Sequence, residues 1–123
     1  MSYTQRHSIT VTTAADGSAT AYSPVVSGKI SQIIYTKTDF ATGVDFTITF
    51  EATGETLWTE SNVDASTVRA PRQSTHSNLG VAALYAAAGS AVLDKISIAN
   101  DRIKIVIASG GATKTGTFSI ILE

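Results

Sequence analysis

A chain of 123 residues and 12.8 kDa is long enough to close one hydrophobic core and leaves no room for a second domain. A formal net charge of −1 and an isoelectric point near 6.1 provide no global positive field and argue against general nucleic-acid binding. The absence of cysteine excludes disulfide staples, thiol catalysis and thiolate metal sites, while 43% hydrophobic and only 15% charged residues exclude charge-driven disorder and predict a surface partly covered by a partner.

In chain order, the opening MSYTQRH carries no apolar core of signal-peptide length, and no run approaches 18 apolar residues. This reads as a soluble chain with no export signal and no membrane span. Residues 7–13 (HSITVTT) alternate Ile9 and Val11 against Ser8, Thr10 and Thr12, the pattern of a half-buried strand. An Asp-Gly turn then predicts a return strand over TAYSPVV, with Pro24 placing it at an edge or a bend. Residues 28–38 (GKISQIIYTKT) carry Ile30 and Ile34 in one phase and Ile33 and Tyr35 in the other.

The clearest alternation is VDFTITF, residues 44–50. Val44, Phe46, Ile48 and Phe50 point to a core, whereas Asp45, Thr47 and Thr49 face water or a partner. A turn at Gly54 leads to a short strand with Leu57 and Trp58. From about 61 to 78 the pattern dissolves into a long connection or extended arm. Residues 79–91 (LGVAALYAAAGSA) have the only helix-like composition, yet two glycines and no charges favour at most one short helix near 79–90, or an Ala-rich coil. Strand patterns resume at 92–98 and, after a turn at 99–101, in RIKIVIAS. GGATKTG reads as a hairpin connection into TFSIILE, so the last three strands are expected to be sequential and antiparallel. About eight short strands without long helices predict a single all-β domain over 1–123: an antiparallel sandwich, favoured as a jelly roll, with a short N-terminal arm.

Chemistry finds few footholds. His7 and His76 lie in no HExxH pattern and lack companions for a zinc set, and Asp39 and Asp45 around FATGV read as polar caps of a turn rather than a calcium loop. Ser77 beside His76 lacks a nucleophile elbow, and GGATKTG places its lysine and its following strand wrongly for a phosphate loop. Glu51, Glu55 and Glu60 sit near a turn as solubilising charge, and Trp58 fits a core residue better than a sugar platform. No cofactor is expected. The residues left as candidate contacts are Tyr3, Gln5, Arg6 and His7 in an N-terminal arm, and Arg69, Arg72, Gln73 and His76 in the long connection.

Nearly the whole length carries a likeness. The opening ITVTTAADGSATAYSPVVSGKI, the block YTKTDFATGVDFTITFEATGETLWTE, the APRQ segment followed by ALYAAAG, and the ending RIKIVIASGGATKTGTF together resemble the small head decoration, or cement, proteins of tailed bacteriophages. The resemblance implies a non-enzymatic β-sandwich on the outer surface of the virion capsid, assembled in the host cytoplasm. It implies major capsid protein as the partner, bridged subunit to subunit, and self-association as a homo-oligomer, dimer or trimer. A tail or fibre component and a carbohydrate-binding sandwich are the alternative readings.

Overall fold

The computed structural model describes residues 4–123. The period-two stretches become ten strands: β1 (Gln5–Thr12), β2 (Ala19–Tyr22), β3 (Val26–Lys37), β4 (Val44–Phe50), β5 (Thr56–Val63), β6 (Thr67–Arg69), β7 (Arg72–Ser74), β8 (Leu93–Asp101), β9 (Ile103–Ala108) and β10 (Thr115–Leu122). They form two antiparallel sheets. One, sheet A, has the order β1-β10-β3-β8-β7, with β6 also paired to β3; the other, sheet B, has the order β2-β9-β4-β5. The protein is an all-β sandwich.

Its core is the meeting of the inward-facing residues of the two sheets. Tyr35 and Phe118 of sheet A reach Phe46 of sheet B at ring-centroid distances of 5.2 and 5.1 Å, and Trp58 meets Phe46 edge-on at 4.7 Å. Val44, Ile48 and Phe50 of β4 and Ile103, Ile105 and Ile107 of β9 are buried as their alternation predicts. On β3 the apparent change of phase has a local cause. Ile121 pairs Gln32 while Leu122 pairs Ile30, so Ser31 is the extra residue of a β-bulge. The bulge turns Ile30 onto the same face as Ile33 and Tyr35, and all three are buried.

Strand partners differ from the sequential expectation. β1 does not pair β2, and β8, β9 and β10 do not pair one another; β1 and β8 lie in sheet A, β2 and β9 in sheet B, and β10 returns to lie between β1 and β3. Two consecutive pairs do bond to each other: β4 and β5, through the turn at Gly54, and β7 and β8, through the long segment between them. Alternation specifies a face and not a neighbour, and here the chain crosses from sheet to sheet at six of its nine connections. Two buried hydroxyls sustain those crossings. The Thr13 hydroxyl donates to the Gly111 carbonyl at 2.6 Å and accepts from the Lys114 amide at 2.8 Å, and the Ser23 hydroxyl accepts from the Ile103 amide at 2.9 Å.

GGATKTG is therefore a corner between sheets rather than a hairpin connection. The Gly110 amide donates to the Gly17 carbonyl at 2.9 Å, and the Thr113 amide to Ala14 at 3.2 Å, which locks this loop against the Asp-Gly turn. Gly17 has φ +84°, and a Cβ there would stand 3.1 Å from the Gly111 nitrogen; the glycines serve close backbone approach. Within the corner, Asp39 accepts from the Thr115 amide at 2.6 Å and from its hydroxyl, and these bonds hold its carboxyl below the usual carboxylate range.

The long connection expected over 61–78 is more ordered than its polar composition suggests. It contains the end of β5 and the short strands β6 and β7, paired to β3 and β8. The turn expected at 99–101 is absorbed into β8, with Asn100 at φ 49°. No helix forms over 79–90.

Candidate interaction surface

Of the residues singled out in the sequence, Tyr3 lies outside the described residues. Gln5, Arg6 and His7 are not an arm: they are the first residues of β1, opposite Leu122, Ile121 and Ile120. The backbone of β10 offers them a regular ladder, and the in-out alternation of β1 runs through them. Their side chains contribute one local contact, His7 Nε2 to Gln5 Oε1 at 3.3 Å.

Arg69 and Arg72 are engaged within the chain. Arg69 reaches across the open side of the sandwich from β6 to β5, donating from Nε and Nη2 to the two carboxylate oxygens of Glu60 at 2.9 and 3.0 Å. Its guanidinium lies 5.7 Å from the Trp58 ring centroid, and Trp58 Nε1 donates to Glu60 Oε1 at 2.9 Å. With Trp58 only 6% exposed, this trio closes the edge of the core, and the indole offers no platform to a sugar. Arg72 donates from Nη1 to the carbonyl of Ser31, the bulged residue of β3, at 3.0 Å. Gln73 reaches the Lys95 carbonyl at 3.5 Å. Glu51 pairs with Arg102, whose guanidinium sits 4.1 Å from the Tyr22 ring centroid; this pairing holds the Glu51 carboxyl below its ordinary value.

His76 opens a different region. Between β7 and β8 the chain leaves the sandwich as a finger built from three short extended pieces. The Thr75 amide donates to Val92 at 2.9 Å, Val92 to Ala83 at 3.0 Å, and Ala83 to Thr75 at 3.0 Å, with His76 bridged to Ala82 and Leu84 to Ala91. One turn is closed by the Ser77 hydroxyl, which accepts from the amides of Leu79 and Val81; the other by Tyr85 donating to Ser90 and Gly89 to Ala86. These bonds tie the extended pieces together and close both turns, so the segment has a defined shape without helix.

The finger has no second layer. Leu79 is 85% exposed, Val81 65% and Tyr85 76%, and Leu84 and Leu93 are also exposed. Residues 73–93 contain no Asp, Glu, Lys or Arg. A sheet-like piece ordinarily covers one face against another element, and clustered exposed apolar side chains mark interaction surfaces. Leu79, Val81, Leu84 and Tyr85 were not among the sequence candidates. The signal that singles them out is the charge-free run itself, a region of large apolar residues in a chain whose polar positions elsewhere carry Thr, Ser and paired charges.

The described residues contain no group of three or more His, Cys, Asp or Glu placed to hold a metal ion. Comparison with known protein families and with curated proteins finds no match to this sequence.

Proposed function

We propose that this chain is a structural virion protein that decorates the outer surface of a tailed-bacteriophage capsid and stabilises it by bridging major capsid subunits. The single observation that carries the reading is the finger over residues 75–92: a hydrogen-bonded, charge-free projection that exposes Leu79, Val81, Leu84 and Tyr85. Such a surface acts by area and complementarity and asks for no catalytic group, so the role is non-enzymatic. The likeness of the sequence to head decoration proteins names the partner. The order β1-β10-β3-β8 facing β2-β9-β4-β5 supports reading the sandwich as a jelly roll of two interlocked Greek keys, a fold frequent in capsid proteins.

Energetically, a stable contact buries about 1,200–2,000 Å² in total, and repetition over a lattice raises avidity well beyond one contact. An uncharged finger suits a flat protein surface, because desolvating it leaves no ion unpaired. The test is co-sedimentation of the purified protein with capsid shells of the phage that encodes it. Saturable binding by the wild type, lost when Leu84→Ser and Tyr85→Ser are combined, is the expected result. Saturable glycan binding with no affinity for shells would replace this reading with the carbohydrate-binding one.

A further inference from the structure

The two sheets end in five edge strands, β1, β6 and β7 in sheet A and β2 and β5 in sheet B, and four of them are protected. β2 has four residues and is followed by Pro24, β6 and β7 have three residues each, and the β4/β5 ladder is broken by two register shifts. Short edge strands, prolines and bulges are the devices that stop one sheet from adding to another. β1 has none of them. It runs for eight residues in unbroken register with β10, contains neither Gly nor Pro, and carries one formal charge, on Arg6.

The free side of β1 can be read residue by residue. The Thr13 amide donates to the Lys114 carbonyl at 2.8 Å, continuing the register in which Thr12 faces Thr115. In an antiparallel ladder hydrogen-bonded and non-hydrogen-bonded pairs alternate. Odd-numbered residues therefore bond to β10, and the amides and carbonyls of Arg6, Ser8, Thr10 and Thr12 point away from it. Among the described residues, no backbone group of β1 bonds to anything but β10.

We infer that this edge pairs with β1 of a second copy, antiparallel about a two-fold axis, to make one continuous sheet across two protomers. One register uses all four outward residues: Arg6 faces the partner's Thr12, Ser8 faces the partner's Thr10, and Ile9 faces the partner's Ile9. Three properties of the strand favour its own copy as the occupant. The antiparallel arrangement holds the two Arg6 charges at opposite ends of the new ladder, whereas a parallel one would stack them. Ile9, half-buried at the rim of the core, gains its own counterpart as cover. On the outer face the row of hydroxyl pairs already made by Ser8 with Ser119 at 3.0 Å and Thr10 with Thr117 at 3.4 Å continues across the axis, because each hydroxyl can both donate and accept. A two-fold contact of this kind is isologous and closes on itself.

Sheet A thus carries the finger beyond its β7 edge and the pairing strand at its β1 edge, so a dimer presents two fingers on opposite flanks. The inference supplies the self-contact within the decoration reading and rests on it for its biological sense. Its test uses the protein alone, so a failure here is distinguishable from a failure to bind shells.

Because the chain has no cysteine, single introduced thiols report the register. Ile9→Cys places two thiols on the axis, within the Cα separation that a disulfide spans, and is expected to crosslink into a covalent dimer under mild oxidation. Thr12→Cys stands opposite the partner's Arg6, roughly six residues or about 20 Å from its counterpart, and should crosslink at least about tenfold more slowly, since such a separation cannot be bridged. Sedimentation velocity is expected to show a dimer for the wild type and a monomer for Thr10→Pro, which removes an outward amide and no bond to β10. Ser8→Lys, which places like charges near the axis, is expected to do the same without altering the backbone. A wild type that stays monomeric up to about 1 mM, the weak end of specific association, overturns the inference. So does a trimer, equal crosslinking at both positions, or a dimer indifferent to both Thr10→Pro and Ser8→Lys.

Discussion

The sandwich body and the finger are built from similar side chains and treat them in opposite ways. In the body, Phe46, Ile48, Ile105 and Phe118 stand on two sheets that cover each other, and each is nearly inaccessible. In the finger, Leu79, Val81, Leu84 and Tyr85 stand on a single layer and are exposed, while the backbone beneath them is tied by bonds between its extended pieces and at its turns. The difference teaches where each region draws its order. The body is held by apolar burial at roughly 25 cal/mol per Å²; the finger is held by its turns and its backbone bonds, and its apolar area remains available for association.

The largest effect that would test this contrast lies at the centre of the body. Phe46→Ala removes a ring that touches Tyr35, Trp58 and Phe118 at centroid distances of 4.7–5.2 Å, in a place where neither sheet can collapse to fill the space. Loss of about 3–5 kcal/mol of unfolding free energy is expected, read as a lower midpoint in urea with the slope unchanged. A midpoint equal to that of the wild type would mean that the two sheets do not share one core.

Legibility in the sequence follows the same division. The inward faces of β4, β9 and β10 could be read directly, because burial on one side imposes a period of two and nothing interrupts it. The β3 phase change was visible as two competing sets, Ile30 with Ile34 and Ile33 with Tyr35, but its resolution needed the bulge at Ser31, which only the partner strand reveals. Strand order was hidden because an Asp-Gly turn looks the same whether the chain doubles back or crosses to the other sheet. Thr13 and Ser23, which make the crossings possible, are unremarkable as letters. Arg69 and Arg72 looked free because Glu60 lies on the other sheet from Arg69, across the crossing at 64–66, and the Ser31 carbonyl is 41 residues from Arg72. The finger was legible as a region without charge or strong periodicity; its extended form was not, since its alanines satisfy helix composition while the backbone bonds that shape it join residues as far apart as Thr75 and Val92.

A smaller effect, of opposite sign, probes the one imperfection in the body. The Tyr35 hydroxyl is buried and has no hydrogen-bond partner among the described residues, and burial pushes its pKa up. The ring itself is well placed, stacked on Phe118 at 5.1 Å and tilted against Phe46. Tyr35→Phe keeps the ring and removes the unpaired group, whose desolvation costs about 1–3 kcal/mol. A gain of roughly 1 kcal/mol is expected after the loss of some packing at the phenolic oxygen, visible as a raised thermal midpoint. A fall in the midpoint would show that the hydroxyl has a partner.

The smallest stability change is expected in the finger, and there the contrast is sharpest. Leu79→Ser combined with Tyr85→Ser removes apolar area comparable to that of a core residue, yet these side chains are already 85% and 76% exposed in the folded chain. Folding therefore gains little from covering it, and the double variant should match the wild type within about 0.5 kcal/mol, as surface substitutions do. What should change is the affinity of the folded protein for an apolar fluorescent dye, which reads exposed hydrophobic surface directly. Measured together, an unchanged unfolding midpoint and a reduced dye signal would separate the finger from the core. A loss of stability on the scale of Phe46→Ala would instead mean that these two side chains are covered within the free protein, and the finger would then belong to the body rather than to a partner.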